Sequence, residues 1–167
     1  MKTGKLSTMT SLCCGGKISK ASLRMDALGD IDEVIAVLGI IRASVKNNNL
    51  KKRLYYLQQK LMVGASEIAT LNKNARKLKN RISPEDVFFL EEEIKLLKLK
   101  GNSPSCFICP GNNLTCAYLH WARAVIRRTE RKIVKLFEQN EILNKSLLIW
   151  INKLSQYVFF MAQRKNK

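Results

Sequence analysis

Acidic residues are scarce in this chain and absent from long stretches of it. There is none before Asp26, none between Ile94 and Thr129, and none after Glu141. With 30 Lys+Arg against 13 Asp+Glu the net charge is +17, so the surface should attract polyanions: a nucleoside triphosphate, a nucleic acid or an anionic membrane. A second absence is a long hydrophobic run. The longest, Val34 to Ile41, has eight residues, too short to span a bilayer. No apolar stretch typical of an export signal precedes Cys13. Cysteine pairing is also missing as a theme. Five cysteines, two of them adjacent, do not make an exported disulfide framework, and the expected compartment is a reducing cytosol. No membrane partner is expected. The Gly-x4-Gly-Lys-Ser/Thr spacing of a P-loop is absent, and no run alternates like a strand.

What is present is helical. Apolar content is 46%, enough for a core and too high for a disordered polycation. Residues 1–25, rich in Thr, Ser, Gly and Lys, read as a loop or arm. Ile31, Val34, Ile35, Leu38, Ile41 and Val45 set a helical rhythm from Asp26 to about Val45. Leu54, Leu57, Leu61, Ile68 and Leu71 set another from Leu50. Ser83-Pro84-Glu85-Asp86 is a helix start, with a Ser cap, Pro in the first turn and acids at the positive end of the dipole. That helix should end near Lys98. Two more are expected over about Leu114–Gln139 and Ile142–Gln163. The expected fold is all-α: a five-helix antiparallel bundle (26–167) carrying an N-terminal arm (1–25) as a single domain.

The fourth helix is the most informative. His120, Arg123, Arg127 and Glu130 lie within an arc of roughly 80° at 100° per residue. Tyr118, Ala122, Val125, Ile126, Ile133 and Leu136 face the other way. Ranked guanidiniums offer fixed donor forks to phosphate oxygens, although a solvated face with i,i+4 ion pairs shows the same spacing. In the arm, Thr3-Gly4, Thr10-Ser11 and Gly15-Gly16-Lys17-x-x-Lys20 could cradle phosphates or be a flexible terminus. Cys106, Cys109, Cys116 and His120 could close a structural zinc site, or the cysteines could be ordinary buried small residues. Asn152 and Gln156 share the polar face of the fifth helix, opposite Leu147, Leu154, Val158 and Met161. Asp32 and Glu33 either favour the first helix electrostatically or pair with one of the arginines. Trp121 and Trp150 read as packing.

Several blocks in order resemble the PduO-type corrinoid adenosyltransferases over nearly the whole chain. They are Gly15-Gly16-Lys17-Ile18-Ser19-Lys20, Ala27-Leu28-Gly29-Asp30-Ile31-Asp32-Glu33, Phe107-Ile108-x-Pro110-Gly111, Leu119-His120-x-Ala122-Arg123, Arg127-Arg128-Thr129-Glu130-Arg131 and Asn152-Lys153-Leu154-Ser155-Gln156-Tyr157. The resemblance implies a homotrimer with sites between subunits, transferring the 5′-deoxyadenosyl group of ATP to cob(I)alamin and releasing triphosphate. It implies that Lys2, Thr3, Gly4, Thr10, Ser11, Lys17 and Lys20 wrap the phosphates with Mg²⁺. Arg127, Arg128, Glu130, Arg131 and Asn152 would complete the ATP site. Asp32 and Arg123 would form a salt bridge, expected across the subunit interface, and join Arg127 and Glu130 as the catalytic set. Phe107 would crowd the lower face of the corrin, and a reductase would supply Co(I). No nucleic-acid partner and no protein-held metal are expected, because Cys109 and Cys116 fall at family positions filled by small or apolar residues.

The arm departs from the family's loop, written Thr3-Gly4-Lys5-Leu6-Ser7-Thr8-Met9-Thr10-Ser11-Leu12, without its Asp and middle Gly. Gln156 replaces an Asp. These departures imply slower turnover or, as the alternative, a relative that binds ATP or corrinoid without turning it over. A basic Cys/His zinc module for nucleic acid is a third reading.

Overall fold

The computed structural model describes residues 8–99 and 109–164. Five α-helices run among them: α1 (Leu23–Ser44), α2 (Asn48–Ile68), α3 (Pro84–Leu99), α4 (Leu114–Glu138) and α5 (Lys145–Arg164). A 3-10 helix over Asn72–Lys77 lies between α2 and α3. Short polar side chains start the helices, as the composition of the connections demands. Ser22 Oγ accepts from Met25 N–H, Asn47 Oδ1 from Leu50 N–H and Asn113 Oδ1 from Cys116 N–H. At α3 the cap is reciprocal: Asp86 N–H donates to Ser83 Oγ, and Ser83 N–H donates to Asp86 Oδ2 at 3.1 Å.

Cross-helix contacts fix the directions. Asp30 on α1 meets Arg128 on α4, while Asp26, nearer the start of α1, meets Lys132. Glu130 on α4 meets Asn152 on α5, whereas Arg123 meets Phe159. Arg53 on α2 pairs with Glu93 on α3, and Lys60 with Asp86. Each pair therefore runs antiparallel, and the core lies between them. Trp150, Leu38, Ile41, Leu54, Ile133 and Leu154 have no solvent exposure. The seam between α1, α4 and α5 is the scaffold on which the α4 arginines sit.

Three expectations change. The arm is not featureless: Met9–Ser11 (β1) and Lys17–Ser19 (β2) pair as an antiparallel hairpin, in register Met9 with Ser19, Thr10 with Ile18 and Ser11 with Lys17. Three-residue strands are too short to alternate visibly. Their pairing rests on the turn, where Gly15 (φ 92°) and Gly16 (φ 101°) take a backbone hand that other residues resist. Helix α1 begins at Leu23 rather than Asp26 because Ser22 caps it. Helix α5 begins at Lys145 rather than Ile142: Asn140 turns left-handed (φ 56°), Glu141 N–H returns to Leu136 O at 2.9 Å, and Asn144 Oδ1 accepts from Ser146 N–H.

Candidate functional site

The exposed face of α4 carries Arg123, Arg127 and Arg131, one turn apart. Arg127 and Arg131 are open to solvent, and Arg131 Nη1 donates to Arg127 O at 3.0 Å. Arg123 lies over the Phe159 ring, 5.0 Å from its centre, a contact that holds the guanidinium against α5. His120 meets the same ring edge-on at 6.2 Å, and its buried Nε2 has no hydrogen-bond partner among the described residues. Burial first, and then the charge of Arg123, hold the His120 pKa below its usual range. Burial and the neighbouring Arg127 likewise lower that of Arg123. Among the described residues none of these three arginines has a carboxylate partner. An anion bound beside these guanidiniums would offset their mutual repulsion.

One step round the helix the cations are already matched. Arg128 Nε donates to Asp30 Oδ1 at 3.1 Å and its Nη2 pairs with Glu33, while Lys132 Nζ reaches Asp30 Oδ2 at 2.9 Å. Arg128 is thus committed to the α1–α4 seam in this chain, and the expectation that Glu33 pairs with an arginine holds. On the other side Asn152 Nδ2 donates to Glu130 Oε1 at 2.6 Å, and Gln156 Nε2 donates to Asn152 Oδ1 at 3.0 Å. Glu130 on α4 and Asn152 and Gln156, one turn apart on α5, form one polar chain beside the arginines.

In the hairpin, Ser11 and Lys17 are direct cross-strand partners and share a face. Thr10, the neighbour of Ser11 along β1, points to the other. Lys20 extends the pairing by donating its N–H to Thr8 O at 2.8 Å. Lys2, Thr3, Gly4 and Phe107 lie outside the described residues. Asp32 is exposed on α1 and, among the described residues, forms no ion pair with Arg123 within the chain.

Of the zinc candidates, Cys109 is exposed and Cys116 fully buried, and Cys106 lies outside the described residues. No group of three His, Cys, Asp or Glu converges among the described residues. Trp150 packs as expected, but Trp121 does not. It is 45% exposed and leans on Tyr118 at 6.2 Å. No helix is long and apolar enough to cross a membrane among the described residues.

Sequence reasoning passed over Phe159, Asp30 and Arg24 as site-forming side chains. Asp30 was discoverable as an acid at a position in phase with Ala27, Ile31 and Val34; Phe159 looks like any apolar residue of an amphipathic helix.

The family model described as cobalamin adenosyltransferase matches residues 1–165. A corrinoid adenosyltransferase from Citrobacter freundii is 35% identical over 162 residues, covering 97% of this chain and 91% of that protein. The corrinoid adenosyltransferase PduO of Salmonella typhimurium is 30% identical over 165 residues, and there the match spans 48% of the relative's length. Among solved structures, a variant PduO-type ATP:corrinoid adenosyltransferase from Lactobacillus reuteri, complexed with cobalamin and ATP, superposes with a TM-score of 0.85 at 29% identity. That match covers 95% of this chain and 88% of the other.

Proposed function

The chain belongs to the cobalamin adenosyltransferase family, and from that premise we propose how its own side chains carry ATP-dependent adenosyl transfer to a corrinoid. The chemistry asks little of acid–base groups. Co(I) of the corrinoid substrate is a strong nucleophile. Its electron pair forms the Co–C bond at C5′ of ATP, the C5′–O bond breaks, and that pair leaves on triphosphate. The protein must align cobalt with C5′ and stabilise the charge growing on the leaving group.

The observation that carries this placement is the division of cations on α4. Arg128 and Lys132 are matched to Asp30, while Arg123, Arg127 and Arg131 have no carboxylate partner among the described residues. Arg127 and Arg131 would receive the triphosphate, and the Glu130–Asn152–Gln156 chain would read the nucleoside. Arg128, tied to α1, would stand as the wall behind them and complete the ATP site. Residues before the Ser22 cap would serve as the nucleotide arm and those from Leu23 onward as the bundle, with Lys2, Thr3, Gly4, Thr10, Ser11, Lys17 and Lys20 wrapping the phosphates. Because Thr10 and Ser11 point to opposite faces, Thr10 would bind through its hydroxyl and Ser11, whose N–H faces away from β2, through its backbone.

Mg²⁺ would enter with the nucleotide, bound to its phosphates. Mg²⁺ would neutralise charge on the phosphates, with the arm hydroxyls beside it. Asp32, exposed on its own subunit, would meet Arg123 of a neighbour in a homotrimer, and Phe107 would crowd the lower face of the corrin. A reductase supplies Co(I), and the cytoplasm is the expected setting.

The test is anaerobic incubation of the protein with MgATP and chemically reduced cob(I)alamin, following adenosylcobalamin by absorbance and triphosphate by chromatography. Both products should appear in equal amounts. Folded protein that binds ATP yet yields neither product, with cob(I)alamin persisting, would make it a binding relative instead.

A further inference from the structure

Arg24, in the first turn of α1, is a cation only 2% exposed. Its guanidinium gathers three segments at one end of the bundle. Nη1 donates to Ile68 O and, at 3.4 Å, to Thr70 O. Nη2 donates to Glu141 O at 2.8 Å and to the same residue's carboxylate at 3.0 Å. Between the two carbonyls held by Nη1 lies Ala69, whose own carbonyl accepts from Cys13 N–H at 3.1 Å. The loop then continues its hold on the hairpin. Leu71 fills the space beside Gly16, where a Cβ would stand 3.0 Å from it, and Asn74 Nδ2 donates to Gly15 O at 3.0 Å. Asn72 Nδ2 ties this loop to Asn140 O at 2.7 Å, next to Glu141.

A buried cation is a costly way to join segments if stability were all that mattered, because apolar replacements of buried ion pairs are often neutral or better. What the planar fork supplies is orientation: several acceptors on different segments are held at fixed angles by one rigid group. We propose that Arg24 is a positioning residue for ATP. Through the loop from Ile68 to Asn74 it sets the pose of the hairpin that presents Ser11, Lys17 and Lys20. The inference rests on the arm reading given above and adds the element that holds the arm in register with the α4 arginines.

The test is a steady-state series with separate KM values for ATP and cob(I)alamin, plus ATP affinity by titration calorimetry. Arg24→Lys keeps the charge and loses the fork. It should raise the KM for ATP about tenfold, the worth of one charge-assisted hydrogen bond, with kcat and the corrinoid KM within about twofold. Asn74→Ala, at a half-buried position outside the core, covers the case in which Arg24→Lys does not fold; it should raise the KM for ATP about threefold. Lys20→Ala reports on the arm itself. If Lys20→Ala weakens ATP and neither other variant does, Arg24 is only structural and the proposal is overturned. If none of the three changes ATP affinity, the arm reading fails and takes the proposal with it. An equal rise in both KM values for Arg24→Lys would also overturn it, since a general loosening of the bundle is not a nucleotide effect.

Discussion

Asn152 and Glu130 are joined amide to carboxylate at 2.6 Å across the α4–α5 seam. The bond links two blocks of sequence that carry no mutual signal, and it places an oriented carboxylate one turn from Arg127. Asn152→Ala removes that orientation and the link to Gln156. The KM for ATP should rise about tenfold, with the melting temperature little changed because the pair is only part-buried. Titration of ATP into the variant checks it, and wild-type affinity would count against a nucleotide role for this chain of side chains.

Arg127→Ala should lower kcat by about a hundredfold or more, the usual loss on deleting one donor to a developing anion. The residue is solvent-exposed, so folding should be unaffected. Near-normal turnover in the adenosylcobalamin assay would remove Arg127 from the site.

Asp30→Asn should destabilise the bundle by about 1–2 kcal/mol, since Arg128 and Lys132 both lose their shared carboxylate while Arg128 remains partly solvated. Chemical denaturation measures the change. Adenosyl transfer by the folded fraction should survive, and a selective loss of catalysis without loss of stability would contradict the wall role.

Acid should weaken the fold through His120. Burial and Arg123 depress its native pKa, so between that lowered value and the unfolded value near pH 6.5 the unfolded chain holds a proton that the native chain does not. The stabilisation is complete above about pH 6.5 and declines as pH falls through the window. Glu67 works in the opposite sense, because burial raises its pKa and acid relieves a buried carboxylate. Comparing melting temperatures of wild type and His120→Gln from pH 7.5 to 5.5 isolates the histidine: the variant should lose less. Parallel curves would exclude it.

Much of α4 was legible because buried and exposed positions alternate at a clean helical period. Cys116, Leu119, Ala122, Val125, Ile126, Ile133 and Leu136 all face the core. Tyr118 lies at the margin, which a 100° rule places poorly. The ion pairs of Arg128 were not legible. Its position on the helix was right, but the acids that claim it come from α1, and helix periodicity carries no information about which helix lies opposite. The hairpin was invisible because its pairing depends on two positive-φ glycines and a loop some fifty residues later, not on strand composition. Arg24 escaped notice because residues 1–25 read as an arm, and only the tertiary arrangement shows that its guanidinium meets three carbonyls and the Glu141 carboxylate.

The 3-10 segment Asn72–Lys77 has no buried residue, and its polar, basic composition gives it the look of a spare surface loop. An engineer seeking a place for a tag, a fluorophore or a circular permutation would choose it. Yet Asn72 and Asn74 both spend their amides on other segments, one on the α4–α5 turn and one on the hairpin. Lengthening this stretch would unhook the arm without opening the core, giving a protein that melts normally and handles its nucleotide badly. Tolerance to insertion therefore follows hydrogen-bond commitments here, and surface exposure alone would mislead the choice.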